Sequence, residues 1–254
     1  MKNYASISVK ISAIVAFFLV WEIIARLEVF PTILFPPMSD CIYYFFIHIE
    51  DIVYSAGTTL KMLLSALCIS FILGIIMAFL SSFFKTAHSI VEAFVSLFNP
   101  IPSIALLPLA LLWFGLNEWA VIFVTIFGSI WIFTINVTNG FSTIKPIFLS
   151  VGKNYGLNKI RLAWHIMLPA TLPNILTGIR SAWGTGFRTV VAAEIVLGIL
   201  GGLGFHITHL RYRLETPGMM AYIIMVALIG IFVEHAVFSL IEKKTVKKWG
   251  MKAV

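Results

Sequence analysis

Between Met62 and Phe84 the chain runs 23 residues without a charged side chain. At about 1.5 Å per residue, a helix of that length crosses the roughly 30 Å hydrocarbon core of a bilayer. Comparable apolar runs recur at roughly Ile7–Ala25, Leu60–Phe84, Val91–Trp113, Trp119–Val137, Leu172–Ile199 and Gly218–Ile241. Charged residues make up 11% of the 254, and the mean hydropathy is +0.99, so too few polar side chains exist to cover a water-facing surface. The sequence therefore reads as an all-α polytopic membrane protein with about six transmembrane helices. Residues 1–254 form a single transmembrane domain, with no room for a large extramembrane one.

The segments between the runs carry the polar signal. Glu22 and Arg26 stand where a cleaved signal peptide needs small residues, so the first run is an uncleaved span. Pro31, Pro36, Pro37, Asp40, Glu50 and Asp51 place residues 28–58 in an extramembrane loop, and the aromatic stretch Tyr43–Phe46 within it predicts a short interfacial helix. Asn99-Pro100-Ile101-Pro102 interrupts the third run, and prolines there predict a broken or kinked helix. Of the basic residues, Lys2, Lys10, Lys85, Lys145, Lys153, Lys159, Arg161, Lys243, Lys244, Lys247, Lys248 and Lys252 fall on one side of a six-span arrangement. That side is the cytoplasm by the positive-inside rule, with both termini on it.

Several function classes lose support. The net charge of +7 is spent on orientation, and its basic residues are not interleaved with aromatics as nucleic-acid binding requires. Cys41 and Cys68 supply neither a disulfide framework nor a multi-cysteine metal site. The one Gly-Lys pair, Gly152-Lys153, has Ile147 and Asn154 where a phosphate loop needs glycine and a hydroxyl, so no nucleotide cofactor is held by that motif. No serine sits in a nucleophile elbow.

The longest inside loop, about 139–170, reads as two short helices. Ser142 or Thr143 caps the first, Pro146 lies in its first turn, and Gly156 ends it in a left-handed conformation. Asn158 caps the second, Lys159–Met167, which stops near Leu168-Pro169. Ile160, Ala163, Trp164 and Met167 fall at helical spacing on one face, either packed beneath the protein's own bundle or offered to a partner.

Gly156, nine residues, Ile166, one residue, then Leu168-Pro169 resembles the loop signature of inner-membrane permease subunits of ATP-binding-cassette importers. The Glu-Ala-Ala that opens that signature is replaced by Ser150, Val151 and Gly152. The stretch 99–108 with Trp113-Phe114-Gly115, residues 176–180, Val191–Glu194 and Gly202–Gly204 resemble the branch containing nitrate, taurine and alkanesulfonate permeases. The resemblance implies the type I importer permease fold and a non-catalytic subunit in a bacterial or archaeal inner membrane. It also implies a second permease subunit, cytoplasmic ATPase subunits docked on the loop through Gly156–Pro169, and an extracytoplasmic substrate-binding protein. Relatives that move a thiamine pyrimidine precursor, riboflavin or bicarbonate leave the solute open, with a small anion favoured.

Charged residues within the fifth run are expensive unless paired or hydrated. Arg188 either faces the pathway and meets an anion, pairs with an acid such as Glu194 of the other subunit, or snorkels outward; about 600° of helix rotation separates Arg188 from Glu194 within one chain. The pathway candidates are Arg188, Glu194, Asn99, Pro100 and Pro102. Arg180 reads as an anchor at the interface or on a neighbouring carbonyl, Glu234 and His235 as an interhelical hydrogen bond or a proton relay of a secondary transporter, and His206 with His209 as a weak metal pair. Gly184 and Gly186 invite a close helix approach.

Overall fold

The structure is a computed structural model that describes residues 2–198 and 201–244. Among these every regular element is a helix. In chain order they are α1 (Lys2–Arg26), α2 (Met38–Ile47), α3 (Ile49–Phe83), α4 (Lys85–Phe98), α5 (Leu107–Phe114) after a 3-10 turn (Ser103–Leu106), and α6 (Glu118–Ser142). Then come α7 (Pro146–Asn154), α8 (Lys159–Leu162), which runs through a π turn (Ala163–Met167) into α9 (Leu168–Ala170), and α10 (Leu172–Leu197). The chain closes with α11 (Leu203–Tyr212), α12 (Thr216–Phe232), a second π turn (Val233–Phe238) and α13 (Ser239–Lys244).

Three described helices are individually long and apolar enough to cross a membrane: Ile49–Phe83, Glu118–Ser142 and Thr216–Glu242. Two bent pairs bring the total to as many as five when each is counted as one broken span: Lys85–Phe98 with Ser103–Phe114, at 88°, and Lys159–Ala170 with Leu172–Leu197, at 71°. The 25 residues of α1 contain the first apolar run and have the length for a sixth. The residues Lys247, Lys248, Lys252 and Ile199, used above for orientation and for the fifth run, lie outside the described residues.

The boundaries differ from expectation in two places. The helix α3 begins at Ile49 rather than Leu60, because Glu50 and Asp51 lie in its first turn, where the helix dipole favours acids. Its 35 residues span about 52 Å, so the acidic end projects beyond the hydrocarbon. The third run is divided more sharply than a kink. The 14 residues of α4 reach about 21 Å, short of a crossing, and the chain turns at Asn99–Pro102 because two prolines withhold amide donors there.

The central strut is α6, packed along α3 on one side and α10 on the other. Phe133 of α6 is buried between two glycines: a Cβ on Gly74 of α3 would lie 2.7 Å from its ring, and one on Gly178 of α10 would lie 3.1 Å from it. Small residues at such crossings let helices approach where lipid provides no hydrophobic drive. A separate apolar cluster of Ile52, Ala56, Leu203, Ile207, Leu210, Ala221 and Tyr222 joins the start of α3 to α11 and α12. The bundle thus has two ends, one carrying this cluster and the other carrying the 139–170 loop.

Candidate functional site

The loop folds much as its punctuation predicts. Pro146 occupies the first turn of α7, but Lys145 precedes it as cap with no side-chain hydrogen bond, so neither Ser142 nor Thr143 caps this helix. Both hydroxyls instead bond back to carbonyls of α6, which continues through Ser142. At the other end of α7, Gly156 has φ +74°. The Leu157 N–H donates to the Gly152 carbonyl at 3.1 Å and the Gly156 N–H to that of Lys153 at 2.9 Å, the paired bonds of a Schellman motif. Asn158 accepts from the Arg161 N–H at 2.9 Å and starts the second helix as predicted.

That second helix does not stop at Leu168-Pro169. It bulges into a π turn over Ala163–Met167 and continues to Ala170 before the 71° bend into α10. The predicted ridge is split by this arrangement. Ala163 and Met167 are buried beside Leu162, whereas Ile160 is 70% and Trp164 65% exposed. Four residues separate the members of each pair, and on a regular α-helix the pairs lie only about 60° apart around the axis, so burial rather than spacing divides the ridge, one pair toward the bundle and the other left exposed. Ile147, Phe148, Val151 and Tyr155 extend the outward apolar surface. Their signal was the amphipathic spacing of 147, 151 and 155, four residues apart.

Gly152 explains one departure from the family signature. A Cβ there would lie 2.5 Å from Ile166 Cδ1 and closer still to Leu162. The two loop helices therefore touch through a position where even alanine needs its neighbours to move.

The break in the third run builds a cavity of about 480 Å³, with Asn99, Pro100 and Pro102 on one wall and Thr185 and Arg188 of α10 opposite. Four of the five predicted pathway residues thus meet in one place. Arg188 is exposed to this space and forms no ion pair among the described residues. Gly184 leaves its guanidinium room, since a Cβ there would meet only Arg188 Nη2 at 3.8 Å; Gly186 is the one in tight packing, against Ser129 and Leu63. Ser103 and Thr189 hydroxyls bond at 2.9 Å and pin the turn after the break to α10. Trp131 of α6 completes the wall, a residue the sequence reading did not single out.

Glu194 is elsewhere. It is fully buried, and its carboxyl accepts from Thr59 Oγ1 at 2.9 Å and from the Gly204 N–H at 2.8 Å. Thr59 Oγ1 in turn accepts from the Leu203 N–H at 2.9 Å. The side chain of α10 thereby caps the start of α11, and a Cβ on Gly202 would overlap it. A carboxylate at a helix N-terminus meets unpaired amides and a favourable dipole, so in this structure Glu194 braces the far end of the bundle and does not line the cavity.

Other polar residues of the spans also have structural partners. Arg180 reaches Glu234 at 3.4 Å and Glu242 at 3.7 Å and lies over the Phe238 ring, so it ties α10 to the last helix instead of anchoring alone at the interface. That pairing engages the acid of the supposed Glu234–His235 relay. His206 stacks on Tyr222 and His209 on Phe205, and burial lowers the His206 pKa. Among the described residues no group of three metal-ligating side chains occurs.

A family model described as "binding-protein-dependent transport system inner membrane component" matches residues 70–246. The chain belongs to this family. It is the non-catalytic, multi-pass permease component of an ATP-binding-cassette importer, a type of assembly whose ATPase and binding protein are separate partners. It is 25% identical over 256 residues to the taurine transport system permease protein of Escherichia coli, covering 94% of this chain and 89% of that one. It is 28% identical over 219 residues to the formylaminopyrimidine transport permease protein of Halalkalibacterium halodurans, covering 84% of each. Its fold matches a chain of the inward-facing MetNI methionine transporter with TM-score 0.68 at 17% identity, over 78% of this permease and 97% of that chain. An amino acid ABC transporter solved with histidines matches with TM-score 0.60 at 18% identity, over 76% and 92%.

Proposed function

We propose that this permease pairs with a second identical copy and passes a small solute bearing an oxyanion group, of the nitrate, taurine or aliphatic sulfonate class, through the cavity at the Asn99–Pro102 break. The observation that carries the solute class is Arg188, a cation in the wall of that cavity without an acid partner among the described residues. A guanidinium within a membrane span is costly unless it is hydrated or meets an opposite charge, and its planar fork suits oxyanions. Asn99 and Thr185 add hydrogen-bonding groups beside it. The taurine permease relative supports the same class.

The 139–170 loop faces the cytoplasm in this reading, with both termini, and the ATPase grips its outward surface around Ile160 and Trp164. Gly156 sets the angle between the two loop helices, while Ala163, Ile166, Met167, Leu168 and Pro169 carry movement of the docked helix into the bundle and α10.

The test is uptake by proteoliposomes containing the permease, its ATPase and its binding protein. Taurine, ethanesulfonate and nitrate are offered against uncharged formylaminopyrimidine. The expected result is transport of an oxyanion, reduced at least tenfold by Arg188→Gln with ATPase subunits still copurifying. Transport of the uncharged pyrimidine alone, unaffected by Arg188→Gln, refutes the solute class.

A further inference from the structure

Two buried side-chain polar atoms among the described residues have no hydrogen-bond partner, Trp131 Nε1 and Thr138 Oγ1. Both belong to α6. Seven residues apart, they share a face, about 10 Å from each other along the axis. Their isolation is selective: on the same helix Thr125, Thr134, Asn136 and Ser142 all bond back to carbonyls four residues earlier. An unpaired buried donor costs about 1–3 kcal/mol, and native proteins keep few of them.

The shared face is the one turned to α4. Trp131 stacks on Phe98 of α4, centroids 5.2 Å apart, and lines the Arg188 cavity. Thr138 lines a second cavity of about 360 Å³, nearer the loop end, whose other wall includes His88 and Glu92 of α4. Of the 14 residues in the helix that covers both, only Val91 and Val95 are buried, and one side-chain hydrogen bond, His88 with Ser81 of α3 at 2.8 Å, fastens it near its start. It is bounded by an extended residue, Phe84, at one end and the 88° break at the other.

We propose that Trp131 Nε1–H and Thr138 Oγ1–H are covered donors for the transported oxyanion, uncovered when α4 swings off α6, so that bound solute itself favours the swing. This rests on the reading of Arg188 as an anion site. A ligand shifts a conformational equilibrium only by its different affinity for the two states, and two donors unsatisfied in one state supply such a difference. The indole N–H and the guanidinium are donors only, so together they fit an acceptor-rich solute. Glu92, exposed at the rim of the second cavity, makes that station the weaker one for an anion, and weak binding there is what release requires.

The experiment uses the reconstituted transporter with taurine, ethanesulfonate and nitrate as probes. Trp131→Phe keeps the ring against Phe98 and removes only the N–H; Thr138→Val keeps shape and removes the hydroxyl, and Thr138→Ser restores it. Each of the first two is expected to weaken apparent affinity about tenfold, by loss of a hydrogen bond to a charged group, with the melting temperature unchanged or raised because an unpaired donor has gone. Spin labels on the exposed residues Leu97 and Leu112, either side of the break, should report a solute-induced distance change that Trp131→Phe diminishes. Wild-type affinity and wild-type distance change in both variants overturn the proposal, as does a loss of affinity matched by a lower melting temperature. If Arg188→Gln is also without effect, or no probe binds, the anion site itself is wrong; if Arg188→Gln alone impairs binding, only the covered donors are.

Discussion

Thr59 is the residue on which the brace between α3, α10 and α11 turns, and its replacement by valine gives a worked test of that geometry. Valine preserves the shape of the fully buried side chain but removes two hydrogen bonds, one donated to the Glu194 carboxyl at 2.9 Å and one accepted from the Leu203 N–H at 2.9 Å. The first loss takes a donor from a buried acid and the second strands a backbone amide, together costing about 3 kcal/mol. For a chain of this size that corresponds to a fall of roughly 6–12 °C in melting temperature. The assay is differential scanning fluorimetry of the detergent-solubilised permease, with amide exchange at Leu203 and Gly204. Thr59→Ser keeps both bonds and should lose about 1 kcal/mol at most, the value of a buried methyl group. A shift below 2 °C in Thr59→Val, with unchanged exchange at the start of α11, refutes the brace.

Other substitutions test other joints. Gly156→Val forces a β-branched residue to φ +74° and should cost about 1–3 kcal/mol, read as loss of ATPase copurification. Gly152→Val introduces a branched side chain where Leu162 and Ile166 already touch; overpacking of about 1–3 kcal/mol should appear as faster proteolysis of the loop. Arg180→Ala leaves Glu234 and Glu242 without their cation, so the last helix should loosen and exchange faster, with Glu234→Gln partly restoring it. Burial pushes the Cys41 thiol up to about 11, so little thiolate exists at pH 8. A water-soluble maleimide should therefore modify Cys41 only after unfolding.

Much of the architecture was legible because its signals are local. The apolar runs, Asn158 as a cap, Gly156 as a left-handed stop and the prolines at the break each act within a few residues, and the loop signature pointed to the family that the matched region 70–246 establishes. Ends of helices were less legible where a sequence that looks polar is still helical, as with Glu50 and Asp51 at the start of α3. Tertiary choices were hidden. Helical spacing alone does not say that a π turn follows α8, or that the bundle takes Ala163 and Met167 and leaves Ile160 and Trp164 outside. Likewise Arg188 and Glu194 look alike as charges in one span. Only the fold shows that one faces a cavity and the other caps a helix reached through Gly202 and Gly204. Trp131 carried no sequence signal at all, since a tryptophan in an apolar run reads as packing until its N–H is found without an acceptor.

In the proposed arrangement the outward face of the loop helix is what joins this permease to its ATPase. Copurification of the ATPase with the double variant Ile160→Asp, Trp164→Asp measures it most directly, because both side chains are exposed and their replacement leaves the buried face intact. The ATPase is expected to be lost while the permease keeps its melting temperature. Retention of the ATPase at wild-type stoichiometry contradicts that arrangement.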